Sequence, residues 1–324
     1  MKDQIRRGSV WFALLAIAAA SAGFAQLEQG VQLFESERYD DAQAFFESVA
    51  QQDPSNAEAA FHLGRVFMAK ENAKEAATWF KKAVELDEAN SNYHYWLGAA
   101  YGNQAQRANV LKKASLAKKT KAAFLRAVEL DPDNLDARDG LMQYYLQAPG
   151  IMGGSKEKAQ AQAREILHRD AFRGHLAMGQ VYNAEEKYED AATAYRAAIN
   201  VQPDRVDPYY QLGYAYLNME QYEQAIQAFE EGLTAHPDEL KLYYQIGRVG
   251  ALSGHHLEHA EAALKTYVQK GTDEGNAWLA WAHFRLGNVY EHQGDKEAAG
   301  AVYQETLRLD PKHKDARKAL KKLN

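Results

Sequence analysis

Residues Val206–Glu239 read V-D-P-Y-Y-Q-L-G-Y-A-Y-L-N-M-E-Q-Y-E-Q-A-I-Q-A-F-E-E-G-L-T-A-H-P-D-E. In the first half, apolar side chains fall at Tyr209, Leu212, Tyr216 and Leu217, the spacing of an amphipathic helix. Gly213 interrupts that stripe without a side chain, so a partner helix can approach closely there. Gln221-Tyr222 is expected to end this first helix. Ala225, Phe229 and Leu233 form the buried stripe of a second, with Ala225 small where the helices cross and Phe229 filling the space beside it. Pro237 stops the second helix. One such pair cannot bury its apolar face alone, so pairs must stack.

The same offsets recur along the chain. Phe172–Arg205 has Met178-Gly179, Tyr182, Ala191, Tyr195, Ala198 and Pro203; Ala280–His313 has Leu286-Gly287, Tyr290, Ala299, Tyr303 and Pro311. Ala57–Asn90 has Leu63-Gly64, Phe67, Ala76, Phe80 and Ala83, and the first unit has Gly30, Leu33, Ala42, Phe46 and Pro54. A 34-residue helix–turn–helix with these residues resembles the tetratricopeptide repeat. The resemblance covers nearly all of residues 23–313. It implies an all-α, right-handed superhelical solenoid of about eight units, with a concave groove lined by the first helix of each unit.

Three units depart from the pattern. The unit opening at Ser91 keeps Leu97-Gly98, Tyr101, Phe124, Ala127 and Pro132 but carries an insertion near 104–119, expected as two lengthened helices projecting beyond the stack. The unit opening at Leu135 has a loop insertion near 148–155, A-P-G-I-M-G-G-S, with Ser155 as a helix N-cap, and is short near His168–Ala171. In the unit opening at Leu240, Gly250 replaces an aromatic and an extra residue lies in G-H-H-L-E-H-A. The solenoid is expected over 26–313. Residues 314–324, lysine-rich with Ala316 and Leu320, read as a polar capping helix.

Residues 1–25 have the layout of a secretory signal peptide. Lys2, Arg6 and Arg7 precede an apolar run from Val10 to Ala20, then Gly23 and Ala25 stand before a cleavage expected at Gln26. The run is about half the ~20 residues a spanning helix needs, and no second one follows. A periplasmic or secreted chain with no integral span is therefore expected. The 324 residues contain no cysteine, which excludes disulfides and thiolate metal sites. Net charge is −6, and −8 once residues 1–25 are set aside, which argues against a nucleic-acid partner.

The groove positions implied by the resemblance are Phe61, Arg65, Tyr95, Tyr210, Tyr214, Tyr244, Arg248, Phe284 and Asn288. Tyrosine and arginine dominate protein-binding hot spots, so proteins or peptides are the expected partners. Some members clamp a peptide carboxylate with lysine and asparagine; Leu27, Val31, Phe61 and Arg65 occupy those places here, so that activity is not expected. Between Ala105 and Arg126 lie seven cations and no acid. Lys112, Lys119 and Arg126 would share one helical face opposite Ala117, Phe124 and Val128, suited to an acidic partner or peripheral contact with an anionic surface. The Gly150–Ser155 loop lacks the Lys-Ser/Thr of a phosphate loop, so its glycines read as turn formers. His255-His256-Leu257-Glu258-His259 contains H-x-x-E-H, the inverted zinc-protease motif, but falls on the turn into a second helix, where it does not predict a metal site. No nucleophile, acid pair or cofactor fingerprint is present, so no catalytic residue and no cofactor are expected. The leading expectation is an exported scaffold or adaptor. The alternatives are a structural subunit of a cell-envelope assembly (secretion, pilus or cell-wall machinery) and, last, a metallopeptidase.

Overall fold

The computed structural model describes residues 27–271 and 275–323, and among these every regular element is helical. The chain forms two compact units divided at Gln162/Ala163. The leader expected at 1–25 lies outside the described residues. The first unit contains α1 (27–35), α2 (Tyr39–Gln52), α3 (Ala57–Ala69), α4 (Ala73–Leu86), α5 (Ser91–Gln106), α6 (Val110–Leu130), α7 (Leu135–Gln147) and a 3-10 turn, Gly150–Met152. The division falls inside α8 (Lys156–Arg169). The second unit continues with α9 (Ala171–Ala184), α10 (Tyr188–Val201), α11 (Asp207–Asn218), α12 (Tyr222–Ala235), α13 (Leu240–Ser253), α14 (Leu257–Lys270), α15 (Asn276–Gln293), α16 (Lys296–Leu309) and α17 (Lys314–Leu323). In each unit the helices pair in sequence order and each pair packs on the next.

The pairing rests on a glycine of the first helix meeting a ring of the second. A Cβ built on Gly64 would lie 2.4 Å from Phe80, on Gly179 2.3 Å from Tyr195, on Gly213 2.3 Å from Phe229 and on Gly287 2.3 Å from Tyr303. Those rings are buried at 0–1% exposure. No other residue type allows so close a helix crossing without displacing the ring.

The turn inside each pair differs from the sequence expectation. The helix of Val206–Glu239 ends at Asn218, not at Gln221-Tyr222; Tyr222 opens α12. Between them Glu220 takes the left-handed conformation (φ 57°), as do Glu37, Glu71 and Glu186 at the matching places, with Gly254 and Gly294 serving in later pairs. The Gln221 amide then donates to Tyr216 O at 2.9 Å, closing a Schellman-type end. In the α5–α6 pair the matching residue, Ala105, stays helical. With no left-handed residue to stop it, α5 runs 16 residues and α6 runs 21.

Turns between pairs use an Asp/Asn relay. Asp53, Asp87 and Asp131 follow the last helical residue and accept the amide two residues on, at 3.0, 3.1 and 2.9 Å. Three residues after each, Asn56, Asn90 and Asn134 cap the next helix, accepting from Ala59, Tyr93 and Ala137. Near the chain end His313 takes the same place, its Nδ1 accepting from Ala316 N at 3.2 Å. Lateral polar contacts carry the repeat length in their sequence separations. Lys70–Asp40 spans 30 residues, Tyr93–Glu58 35 and Arg196–Glu231 35. The two ion pairs lie near the surface and add little stability, whereas Tyr93 is buried; all three contacts join neighbouring repeats.

Tyr195 and Tyr303 hold the same repeat position but differ in what their hydroxyls meet. Tyr303 Oη donates to Glu291 at 2.5 Å and accepts from Asn288 Nδ2 at 2.8 Å, whereas the buried Tyr195 Oη has no hydrogen-bond partner among the described residues. Tyr195→Phe is therefore expected to leave stability unchanged or raise it by about 1 kcal/mol, and Tyr303→Phe to lower it by about 1–2 kcal/mol. Paired urea melts of the two variants check the difference in sign.

Candidate protein-binding face

In the second unit the first helices of successive pairs are α9, α11, α13 and α15, and α13 touches α15 directly. Their side chains that do not enter the pair cores form an aromatic and cationic face. Tyr210 and Tyr214 lie one turn apart on α11 with ring centroids 6.5 Å apart at 25°. Both rest on the buried Phe229 ring, at 6.5 and 6.1 Å. The Arg248 guanidinium of α13 sits 6.0 Å from the Tyr214 centroid and donates to Gln245 Oε1 at 3.2 Å. Burial pushes the Tyr214 phenol above its ordinary range, with Arg248 opposing. Tyr214 therefore stays a neutral donor at any physiological pH.

α15 extends the face. Trp278 and Trp281 are its exposed aromatics, at 53% and 38%. The Arg285 guanidinium lies 5.7 Å from the Trp281 ring and 5.6 Å from Phe284, and its buried Nε has no hydrogen-bond partner among the described residues. Two guanidinium groups on adjacent first helices, each backed by a ring, are suited to a carboxylate flanked by apolar or aromatic groups.

Several expected groove residues take other positions. Tyr244 is buried at 9%, packed between Tyr267 and Trp278. Asn288 is engaged by Tyr303, and Phe284 is buried against Tyr303 and His313. These three support the face from beneath. Trp278, Trp281 and Arg285 are not among the groove positions that the resemblance implies. Trp278 precedes the repeat's first position, in the N-terminal extension of α15. The signal available was two tryptophans at i, i+3 on a helix already rich in apolar residues.

In the first unit Phe61 is buried among Phe80, Tyr93 and Trp96. Tyr95 stacks on Phe124 at 6.0 Å. Arg65 covers the Phe34 ring at 4.5 Å, and burial lowers its pKa, with Glu35 opposing. Beside it His62 stacks on Phe46 at 4.8 Å and 8°, and burial, then the Arg65 charge, lowers its pKa to about 4. At neutral pH His62 is uncharged, so its 3.7 Å approach to Glu58 is not an ion pair. Because the folded pKa lies below the unfolded value of about 6.5, the unfolded state takes up the proton first. Stability contributed above pH 6.5 is then lost as pH falls toward 4. Between pH 7 and pH 5 a loss of about 2 kcal/mol is expected from this group. Urea melts of the wild type and of His62→Gln, whose profile should be flatter over that interval, check it.

Of the basic insertion, Lys112 is exposed, Lys119 lies 5.3 Å from the Tyr101 ring and Arg126 pairs with Glu129 at 3.4 Å. Lys112 and Lys119 are thus exposed and without an acidic partner among the described residues, Arg126 is paired, and the exposed Lys113 and Lys118 lie beside them. A cleft of about 510 Å³ beside Lys112 is lined by both signs of charge, including the Arg107–Glu71 pair at 2.9 Å. In the Gly-rich loop the amides of Met152, Gly153, Gly154 and Ser155 all donate to carbonyls of the loop or of α7, so none points at an anion. Gly153 has φ 88°, and a Cβ on Gly154 would lie 1.8 Å from Ala148 O; the turn itself requires both glycines.

The histidines disperse. His255 precedes α14 and stacks on Tyr222 at 6.1 Å, His256 meets Glu223 at 2.7 Å and His259 approaches Glu230 at 3.8 Å. His255 and His259 do not share a helix. No cluster of three or more His, Asp or Glu among the described residues is placed to hold a metal. Nor is any described helix long and apolar enough to cross a membrane.

These repeats define the class of protein. Residues 33–99, 206–239 and 280–313 match family profiles described as tetratricopeptide repeat, and 179–220 match one described as TPR repeat. The chain is a tetratricopeptide-repeat protein. No curated protein matches it. Its fold is similar to a thermophilic TPR protein of Thermus thermophilus (21% identity, 59% of this chain, 97% of that one, TM-score 0.50). It is similar also to a tetratricopeptide repeat protein of Parabacteroides merdae (15%, 82% and 98%, TM-score 0.51). A third similar structure is the APC/C hetero-tetramer Cut9–Hcn1 (16%, 92% and 55%, TM-score 0.51).

Proposed function

We propose that this protein is an exported, non-enzymatic scaffold that binds proteins or peptides through the first-helix face of its second unit. The observation that carries the reading is the run of Tyr210, Tyr214, Arg248, Trp281 and Arg285, in which each guanidinium lies on a ring and large aromatics reach solvent. Tyrosine, tryptophan and arginine at the centre of a face make most of the binding energy in protein interfaces. The favoured ligand is an extended segment with an acidic or carboxyl-terminal group beside an apolar side chain. The Cut9–Hcn1 assembly supports the use of such repeats for protein partners. Export rests on the basic and apolar layout of residues 1–25. The test has two parts: N-terminal sequencing of protein recovered from the periplasm, expected to begin at Gln26, and affinity capture with a control carrying Tyr214→Ala and Arg248→Ala. Recovery only from the cytoplasm with Met1 intact would remove the export half. A partner retained equally by the control would remove the binding half.

A second reading, a structural subunit of a cell-envelope assembly, draws on the first unit. There the exposed Lys112, Lys113 and Lys118 lie in a stretch without acids, a composition suited to an anionic surface or partner.

A further inference from the structure

We infer that the two insertions of the first unit form one docking tip for an anionic lipid bilayer. This rests on the anion-facing reading of the basic insertion and adds what the anion is. The three most exposed large apolar side chains among the described residues are Ile151 at 98%, Leu111 at 86% and Val110 at 83%; the next, Trp278, is at 53%. All three fall in the two segments that depart from the repeat. None contributes to a helix-pair core, and leaving them in water gains the fold nothing.

The two segments are packed on one another. Lys121 of α6 lies 5.7 Å from the Tyr145 ring, and Lys158 lies 5.8 Å from the same ring. A Cβ on Gly153 would lie 2.7 Å from Lys121 Nζ. Tyr144 Oη donates to Met152 O at 2.6 Å and holds the 3-10 turn in place while its Ile151 stays in solvent. Lys121 is eleven residues along the 21-residue α6 from Val110, about 16 Å at the helical rise, so the 3-10 turn that carries Ile151 packs on the helix that Val110 and Leu111 open.

Charge selects the occupant. Val110 and Leu111 open α6 behind the Asn109 cap, which accepts from Lys112 N at 3.1 Å, and Lys112, Lys113 and Lys118 follow on exposed positions. None of these three lysines has an acidic partner among the described residues, whereas Arg107 and Arg126 are neutralised by Glu71 and Glu129. The positive end of the α6 dipole adds to their field. The aliphatic groups stand on projecting points and do not line a groove. A protein interface would meet them with a pocket and pair the charges; a bilayer takes aliphatic tips below its headgroups and leaves lysines at the phosphate level.

The test is vesicle flotation of the full chain on phosphatidylcholine alone and on phosphatidylcholine mixed with phosphatidylglycerol. The leader segment is common to every variant, so differences between variants read the insertions. Binding should favour the anionic vesicles by at least about tenfold and fall as salt rises. Lys112→Glu with Lys113→Glu and Lys118→Glu should weaken it about a hundredfold, and Val110→Ser with Leu111→Ser and Ile151→Ser about tenfold. Unchanged circular-dichroism melts would show that both variants fold. The absence of cysteine allows a single environment-sensitive label at Leu111→Cys, whose emission should shift to the blue on anionic vesicles while a label at Gln52→Cys does not. Equal binding to both vesicle types, or indifference to both sets of substitutions, overturns the inference. If wild type ignores anionic vesicles but captures an acidic protein that the lysine reversals release, the lipid assignment falls and the anion-facing reading stands.

Discussion

Replacing Phe229 with alanine should destabilise the second unit by about 3–5 kcal/mol, the cost of emptying a fully buried aromatic site. The ring is at 0% exposure and sits against Gly213, where even a methyl group would be 2.3 Å away. Gly213→Ala alone should therefore cost about 1–3 kcal/mol through overpacking. With Phe229 already alanine there is no ring to strike, and alanine is the better helix former by roughly 1 kcal/mol. Gly213→Ala should then stabilise, a reversal of sign that urea denaturation of the four proteins in the cycle measures directly. If Gly213→Ala cost the same in both backgrounds, glycine and ring would not be the contact that sets helix spacing. Tyr210 and Tyr214 lean on Phe229, so the same variant should also loosen the binding face.

The double variant Tyr214→Ala with Arg248→Ala should weaken capture of a partner by more than about a hundredfold, since hot-spot truncations cost about 2 kcal/mol or more each. The two side chains touch, with the guanidinium 6.0 Å from the ring centroid, so the single variants should each cost nearly as much as the pair. Arg248→Lys separates charge from shape. A lysine keeps the charge but not the planar fork, so it should recover only a small part of the loss. Titration of the captured partner against wild type and these variants gives the ratios. Full recovery by lysine would reduce the face to a positive charge.

The core was the more legible part of this chain. Gly213 with Phe229, Gly179 with Tyr195 and Gly287 with Tyr303 could be paired from their offsets alone, because a crossing that excludes a Cβ leaves the same mark in every repeat. The turn was less legible. Glutamate is not a residue associated with the left-handed region, so Glu37, Glu71, Glu186 and Glu220 carry no local signal, and the first helix of Val206–Glu239 ends three residues before Gln221. Asn56, Asn90 and Asn134 could have been found, since each stands three residues after an aspartate.

The face was harder because repeat position does not fix burial. Tyr244 on α13 and Tyr210 on α11 hold the same place in their repeats. Yet the N-terminal extension of α15 brings Trp278 over Tyr244, while Tyr210 stays half-buried. Asn288 was turned inward by a hydroxyl that exists only because Tyr303 replaces phenylalanine at its position. The H-x-x-E-H string failed as a metal motif for a similar reason. His256 adopts φ 55° at the position before α14, which leaves His255 outside the helix that holds His259.

The measurement that bears most directly on the central claim is photo-cross-linking in cells, with a light-activated phenylalanine analogue placed in turn at Tyr214 and Trp281 on the first-helix face and at Gln227 and Gln269, exposed on second helices α12 and α14. Adducts to the same partner from Tyr214 and Trp281, with none from Gln227 or Gln269, are the predicted result. Adducts confined to the second-helix positions would contradict the account.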